Sequence, residues 1–145
     1  MYDVAVIGCG IVGAAAAYEL SRYNCRVLVL EAKNDVANVT TKANSAILHA
    51  GYDPTPGTLM AETNVRGVAL AKELCEKLDV EREEIGSLVL AFGEEDERHL
   101  EKLYQQGLAN GVPGIELLTA YEVHALEPNV SDKVTAALYA PTAAI

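Results

Sequence analysis

The chain has 145 residues, a length that suits one domain or one domain with the start of another. Its residues are 50% hydrophobic, enough for a packed core, and its net charge of −10 argues against a nucleic-acid groove, which needs basic stripes. No apolar run reaches the roughly 18 residues of a membrane span, and Met1-Tyr2-Asp3 leads into a strand without the basic flank or cleavage site of a signal peptide. The acids gather at Glu81 to Glu84 and Glu94 to Glu97, as expected of solvated helix and loop faces. Cys9, Cys25 and Cys75 are widely spaced and form no CxxC pair, so no metal or iron–sulfur site is read here. Reduced thiols in a cytoplasmic protein fit that pattern.

Val4-Ala5-Val6-Ile7 is a short apolar run ending at a glycine and reads as a buried parallel strand. An alanine-rich helix is predicted from Ile11 to Arg22, and a second buried strand from Arg26 to Leu30, closed by Glu31. Strand, helix and strand at this spacing make a right-handed βαβ unit. Residues 32 to 57 are then rich in Asn, Thr, Lys, Gly and Pro, a composition that marks a binding element rather than an idle connection. Gly57-Thr58 opens a long helix to about Leu78, with an apolar stripe at Leu70, Leu74 and Leu78. A strand follows at Leu88 to Phe92. Next comes a helix from Glu94 to Asn110, with Leu100, Leu103, Tyr104, Gly107 and Leu108 on one side, stopped by Asn110-Gly111. Ile115 to Leu118 is extended, and Thr119-Ala120-Tyr121-Glu122 is a capping box that starts a brief helix ending at Glu127-Pro128. Thr135 to Ala140 reads as a last strand.

Gly8-Cys9-Gly10-Ile11-Val12-Gly13 is a GxGxxG pattern in its required context, directly after a strand and opening a helix. Gly8 allows the tight turn, Gly10 lets a pyrophosphate approach the helix start, and Gly13 allows helix and strand to pack closely. The free N–H groups from Ile11 and Val12 onward offer partial positive charge to phosphate. Glu31 ends the second strand, where a carboxylate accepts hydrogen bonds from ribose hydroxyls and repels a 2′-phosphate. Cys9 occupies a variable place in the motif and reads as a small packing residue, with a redox role as the alternative.

The glycine motif does not separate FAD from NAD. Thr40-Thr41-Lys42-Ala43-Asn44-Ser45-Ala46-Ile47-Leu48-His49-Ala50-Gly51-Tyr52 does, because it resembles the second FAD-contacting stretch of the D-amino-acid-oxidase-like superfamily. Within it, the chain is similar to flavin-type glycerol-3-phosphate dehydrogenases and L-2-hydroxyglutarate oxidases. Pro56-Gly57-Thr58-Leu59 looks like the hydroxyglutarate oxidases, and Gly86-Ser87-Leu88-Val89-Leu90-Ala91, Asn110-Gly111-Val112-Pro113-Gly114 and Leu138-Tyr139-Ala140-Pro141-Thr142 extend the likeness along the chain. Lys42-Ala43 stands where typical hydroxyglutarate oxidases have Gly-His, and Asp53-Pro54 replaces an aromatic pair, which tilts the reading toward the glycerol-3-phosphate branch.

The resemblance implies an α/β fold, a Rossmann-like FAD-binding domain over residues 1–85 with the beginning of an α+β substrate or cap domain over 86–145. It implies FAD held by Gly8, Gly10, Ile11, Val12, Gly13, Glu31, Thr41, Asn44, Ser45, His49 and Gly51. Thr41, Asn44 and Ser45 are short hydrogen-bonding side chains suited to phosphate and ribityl oxygens, and Gly51 suits close backbone approach to the flavin. His49 is the candidate catalytic residue: near the flavin it would polarise the ring, orient a hydroxyl or, as in some relatives, carry a covalent link, the alternative being a packing histidine. His99 and His124 are expected on helix surfaces. The implied substrate is a small hydroxy acid or polyol phosphate. An unidentified electron acceptor, a peripheral membrane or redox subunit and an oligomer are compatible partners. A nicotinamide-dependent dehydrogenase would continue its βαβ repeat soon after Glu31, and a non-catalytic nucleotide-binding domain is the remaining alternative. The resemblance also implies an amino-terminal piece of a longer enzyme, inactive alone, with the faces of Val4 to Ile7 and Val27 to Leu30 partly uncovered.

Overall fold

Branched apolar residues favour extended backbone, and Val4-Ala5-Val6-Ile7 forms the first strand, β1 (Val4–Ile7), in the computed structural model, which describes residues 1–145. Four consecutive alanines, Ala14 to Ala17, favour the helix α1 (Ile11–Leu20), which leads to β2 (Val27–Leu30). β1 and β2 pair in parallel, with Val4 opposite Val27 and Ile7 opposite Leu30. Arg26, expected in the strand, lies just outside it, and its groups are used to fasten the strand starts. Its backbone N–H donates to Asp3 Oδ2 at 2.8 Å, and its guanidinium donates to both oxygens of the same carboxylate at 3.1 and 3.2 Å.

The chain packs as two compact units, Met1–Ser45 and Ala46–Ile145. Every fully buried residue belongs to the second. In the first, Ile7 is 87% exposed and Leu30 49% exposed, so both strands keep uncovered apolar surface. A fully buried leucine or valine stabilises a fold by about 1.5–3 kcal/mol, and that contribution is concentrated in the second unit.

There, α2 (Leu59–Leu78) starts where Thr58 Oγ1 accepts from the Ala61 N–H at 3.3 Å, and ends at Asp79 in the left-handed conformation, φ 54°. Next come β3 (Ser87–Ala91), α3 (Glu94–Asn110), β4 (Glu116–Thr119), α4 (Ala120–Leu126) and β5 (Ala136–Ala140). Four acidic residues in the first turn of α3 complement the positive end of its dipole, and Gly111 at φ 77° closes it. The capping box at Thr119 is formed, with Thr119 Oγ1 accepting from the Glu122 N–H and Glu122 Oε2 accepting from the Thr119 N–H. The sheet is antiparallel with β5 central, in the order β3-β5-β4.

Side chains alternate across a strand, and β5 uses both faces. Leu138 and Ala140 join Leu100 and Leu103 of α3 in one cluster, while Ala137 joins Val123 of α4 in another. Leu108, expected on the packed side of α3, is exposed. The expected stripe of α2 also points outward: Leu70, Leu74 and Leu78 are exposed, and the helix packs instead through small residues near its start. Ala61 is buried, and Val65 rests on the cluster containing Ala50. No helix is long and apolar enough to cross a membrane.

Candidate functional site

The first unit turns sharply after β1. Gly8 has φ 93°, a conformation that favours glycine, and Gly10 is the N-cap of α1 with no side chain to cap the helix. The first N–H groups of a helix have no partner within it. Here the Ile11 N–H is met from 30 residues away, donating to Thr41 Oγ1 at 3.0 Å. Gly13 is required by contact, since a Cβ there would lie 2.0 Å from the Gly8 carbonyl oxygen. A Cβ on Gly10 would point at Thr41 Oγ1, 3.0 Å away.

Glu31 faces the same turn. Its Oε2 accepts from the Cys9 N–H at 2.8 Å and its Oε1 from the Lys33 N–H at 2.9 Å. These bonds, the one from Cys9 foremost and the one from Lys33 next, hold its carboxyl below the ordinary carboxylate range. Each oxygen keeps a further lone pair for a hydroxyl donor. A cleft of about 170 Å³ is lined by Gly10, Glu31, Ala37, Asn38, Val39, Thr40 and Thr41. Ala37, Asn38 and Val39 are not among the residues the sequence points to; Ala37 takes part through its N–H, which donates to the Cys9 carbonyl at 2.9 Å. Their only sequence signal is membership of the polar stretch after Glu31.

The structure therefore brings together Gly8, Gly10, Ile11, Gly13, Glu31 and Thr41. Val12 is exposed in the first turn of α1. Asn44 and Ser45 are exposed at the end of this unit, and Asn44 Nδ2 donates to the Thr41 carbonyl. His49 and Gly51 belong to the second unit. His49 is exposed and lines a cleft of about 170 Å³ with Gly51, Tyr52, Asp53, Pro54, Met60 and Asn64. Its carbonyl accepts from Asn64 Nδ2. Gly51 is buried at φ 108°, and a Cβ there would meet Val65 Cγ2 at 2.7 Å. His99 is exposed and His124 half-buried, both on helices, and the three cysteines are free thiols.

A protein-family profile described as FAD dependent oxidoreductase matches residues 3–145. The chain belongs to this family. It is 51% identical over 145 residues, its whole length, to a glycerol 3-phosphate dehydrogenase of Caloramator mitchellensis, of which it covers 30%. It is 34% identical over 148 residues to the mitochondrial L-2-hydroxyglutarate dehydrogenase of Dictyostelium discoideum, covering 33% of that protein. Among solved structures, the L-alpha-glycerophosphate oxidase of Mycoplasma pneumoniae with FAD bound matches 99% of this chain and 38% of its own, with a TM-score of 0.89 at 35% identity. The chain thus spans about a third of the length of these relatives.

Membership of the FAD dependent oxidoreductases bears out the resemblance read from residues 40–52, the mixed α/β fold, and FAD as the cofactor in place of NAD. The first unit fits that cofactor on its own geometry. Gly10 carries no side chain that would press on Thr41 Oγ1 at the helix N-terminus, and the Glu31 carboxylate lines the same cleft.

Proposed function

We propose that the chain is the FAD-binding part of an oxidoreductase that oxidises sn-glycerol 3-phosphate to dihydroxyacetone phosphate. The observation that carries this reading is the 51% identity, over all 145 residues, to a protein named glycerol 3-phosphate dehydrogenase. In the reaction the substrate loses a hydride from its central carbon and a proton from the hydroxyl there. Bound FAD supplies the hydride acceptor, and an electron acceptor outside this chain regenerates it.

The chain's own residues bind and orient. Gly8, Gly10 and Gly13 shape the turn, and the Val12 N–H and the Thr41 hydroxyl, with the Ile11 N–H once Thr41 releases it, would hold the pyrophosphate. Glu31 accepts from the ribose hydroxyls. Asn44 and Ser45 supply hydrogen bonds to phosphate and ribityl oxygens. His49 and Gly51 meet the flavin, His49 as the residue that orients the substrate hydroxyl or takes its proton. In functional terms residues 1–85 serve the cofactor and 86–145 begin the substrate or cap domain. Cytoplasmic placement rests on the free thiols.

L-2-Hydroxyglutarate is the second reading, favoured by the 34% identity to the Dictyostelium enzyme. The two substrates are separated by mixing the protein at its full natural length, without oxygen, with each in turn and following the yellow absorbance of the flavin. Bleaching by glycerol 3-phosphate, faster than by L-2-hydroxyglutarate, is expected. The reverse order would replace the first reading by the second.

A further inference from the structure

From Gly51 to Pro54 the backbone offers four consecutive carbonyls, and two side chains of α3 take all of them. Asn110 Nδ2 donates to the Gly51 carbonyl at 2.9 Å and to the Pro54 carbonyl at 2.8 Å. Gln106 Nε2 donates to the Asp53 carbonyl at 3.0 Å and, at 3.4 Å, to that of Tyr52. Residues 106 and 110 are four apart, so they stand one above the other on a helix face. Gly107 lets the helix close on the loop: a Cβ there would lie 3.1 Å from Tyr52 Cβ and 2.4 Å from Ile115 Cδ1. On the preceding stretch, Asn64 of α2 donates to the His49 carbonyl.

Asn110 carries a cost that packing does not explain. Its Oδ1 is buried and has no hydrogen-bond partner. An unsatisfied buried acceptor is destabilising, and an apolar side chain of similar size would avoid it. What an apolar side chain lacks is the pair of N–H donors that reach Gly51 and Pro54. The amide is thus used for its donors, on a loop 56 to 59 residues distant in sequence.

We propose that Gln106 and Asn110 are positioning residues: they fix the Gly51–Pro54 backbone and, through it, hold His49 to Gly51 in place for the flavin. This rests on the reading above that the segment meets the flavin. Asn110→Asp tests it, because the carboxylate keeps the shape, donates nothing and repels both carbonyls. Val123→Ala is the control, since it opens the separate α4 cluster. In the protein at its full natural length, two quantities are read: deuterium exchange of amides 49–55 in the apoprotein, and the dissociation constant for FAD. Asn110→Asp is expected to speed that exchange and weaken FAD binding about tenfold each, the scale of one or two lost hydrogen bonds. Val123→Ala is expected to lower Tm as much while changing neither by more than about twofold. If Asn110→Asp does not fold, Gln106→Met removes the other pair of donors from a half-buried site, with the same expectation at smaller size. Equal shifts in both variants at equal loss of Tm would overturn the proposal, as would faster exchange with unchanged FAD affinity. Failure of the unsubstituted protein to bind FAD would overturn the flavin reading instead. The exchange comparison would then still show whether the two amides hold the loop.

Discussion

Gly10→Val, made in the protein at its full natural length, is expected to purify without flavin while keeping most of its helix content. The backbone at Gly10 does not forbid the change: φ −79° and ψ −178° are extended values that valine adopts. The lesion is local. A Cβ at this position already lies 3.0 Å from Thr41 Oγ1, and the two methyl groups of valine extend from it into the space before the helix N-terminus. They disturb the bond from the Ile11 N–H to Thr41 and fill the volume a pyrophosphate needs. Flavin content by absorbance and helicity by circular dichroism give the check. Normal flavin content in the variant would show that the cradle is not where FAD binds.

Glu31→Ala is expected to weaken FAD binding about 10- to 100-fold, the range for losing hydrogen bonds to a charged acceptor. Two losses combine. In the proposed site the carboxylate no longer receives the ribose hydroxyls, and the Cys9 and Lys33 N–H groups that shape the turn lose their acceptor. The effect of pH has a definite sign. Because those bonds hold the folded carboxyl below its ordinary value of 4.5, Glu31 stabilises the folded cradle above the ordinary carboxylate range. That contribution fades as pH falls through the lowered folded value. Titration of apoprotein with FAD should therefore show an acid-side loss of affinity that Glu31→Ala lacks. Equal affinity of variant and unsubstituted protein at neutral pH would remove Glu31 from the site.

The parts of the fold that could be read from the sequence are those set by neighbours in the chain. The glycine turn, the start of α2 at Thr58, the whole of α3 and the capping box at Thr119 depend on groups within a few residues of one another. The stripe of Leu70, Leu74 and Leu78 failed as a guide to packing because periodicity identifies a face without saying what covers it. α2 uses Ala61, which is buried, and Val65, which lies against Gly51. For the site, Gly8, Gly10, Gly13 and Glu31 were legible because strand, turn, helix and acid follow one another in order. The bond from Ile11 to Thr41 spans 30 residues, and those from Asn110 to the Gly51 loop nearly twice that. In the sequence Asn110 reads as a helix stop and as part of the landmark Asn110 to Gly114. Its second task became visible once the fold put α3 against the loop.

If these residues hold FAD, flavin and chain are present in equal amounts in the purified protein. The protein at its full natural length is purified, its visible spectrum recorded, and apoprotein titrated with FAD and separately with NAD. A yellow protein that binds FAD in equimolar amount and ignores NAD is expected. A colourless protein that takes up NAD and not FAD would contradict the claim.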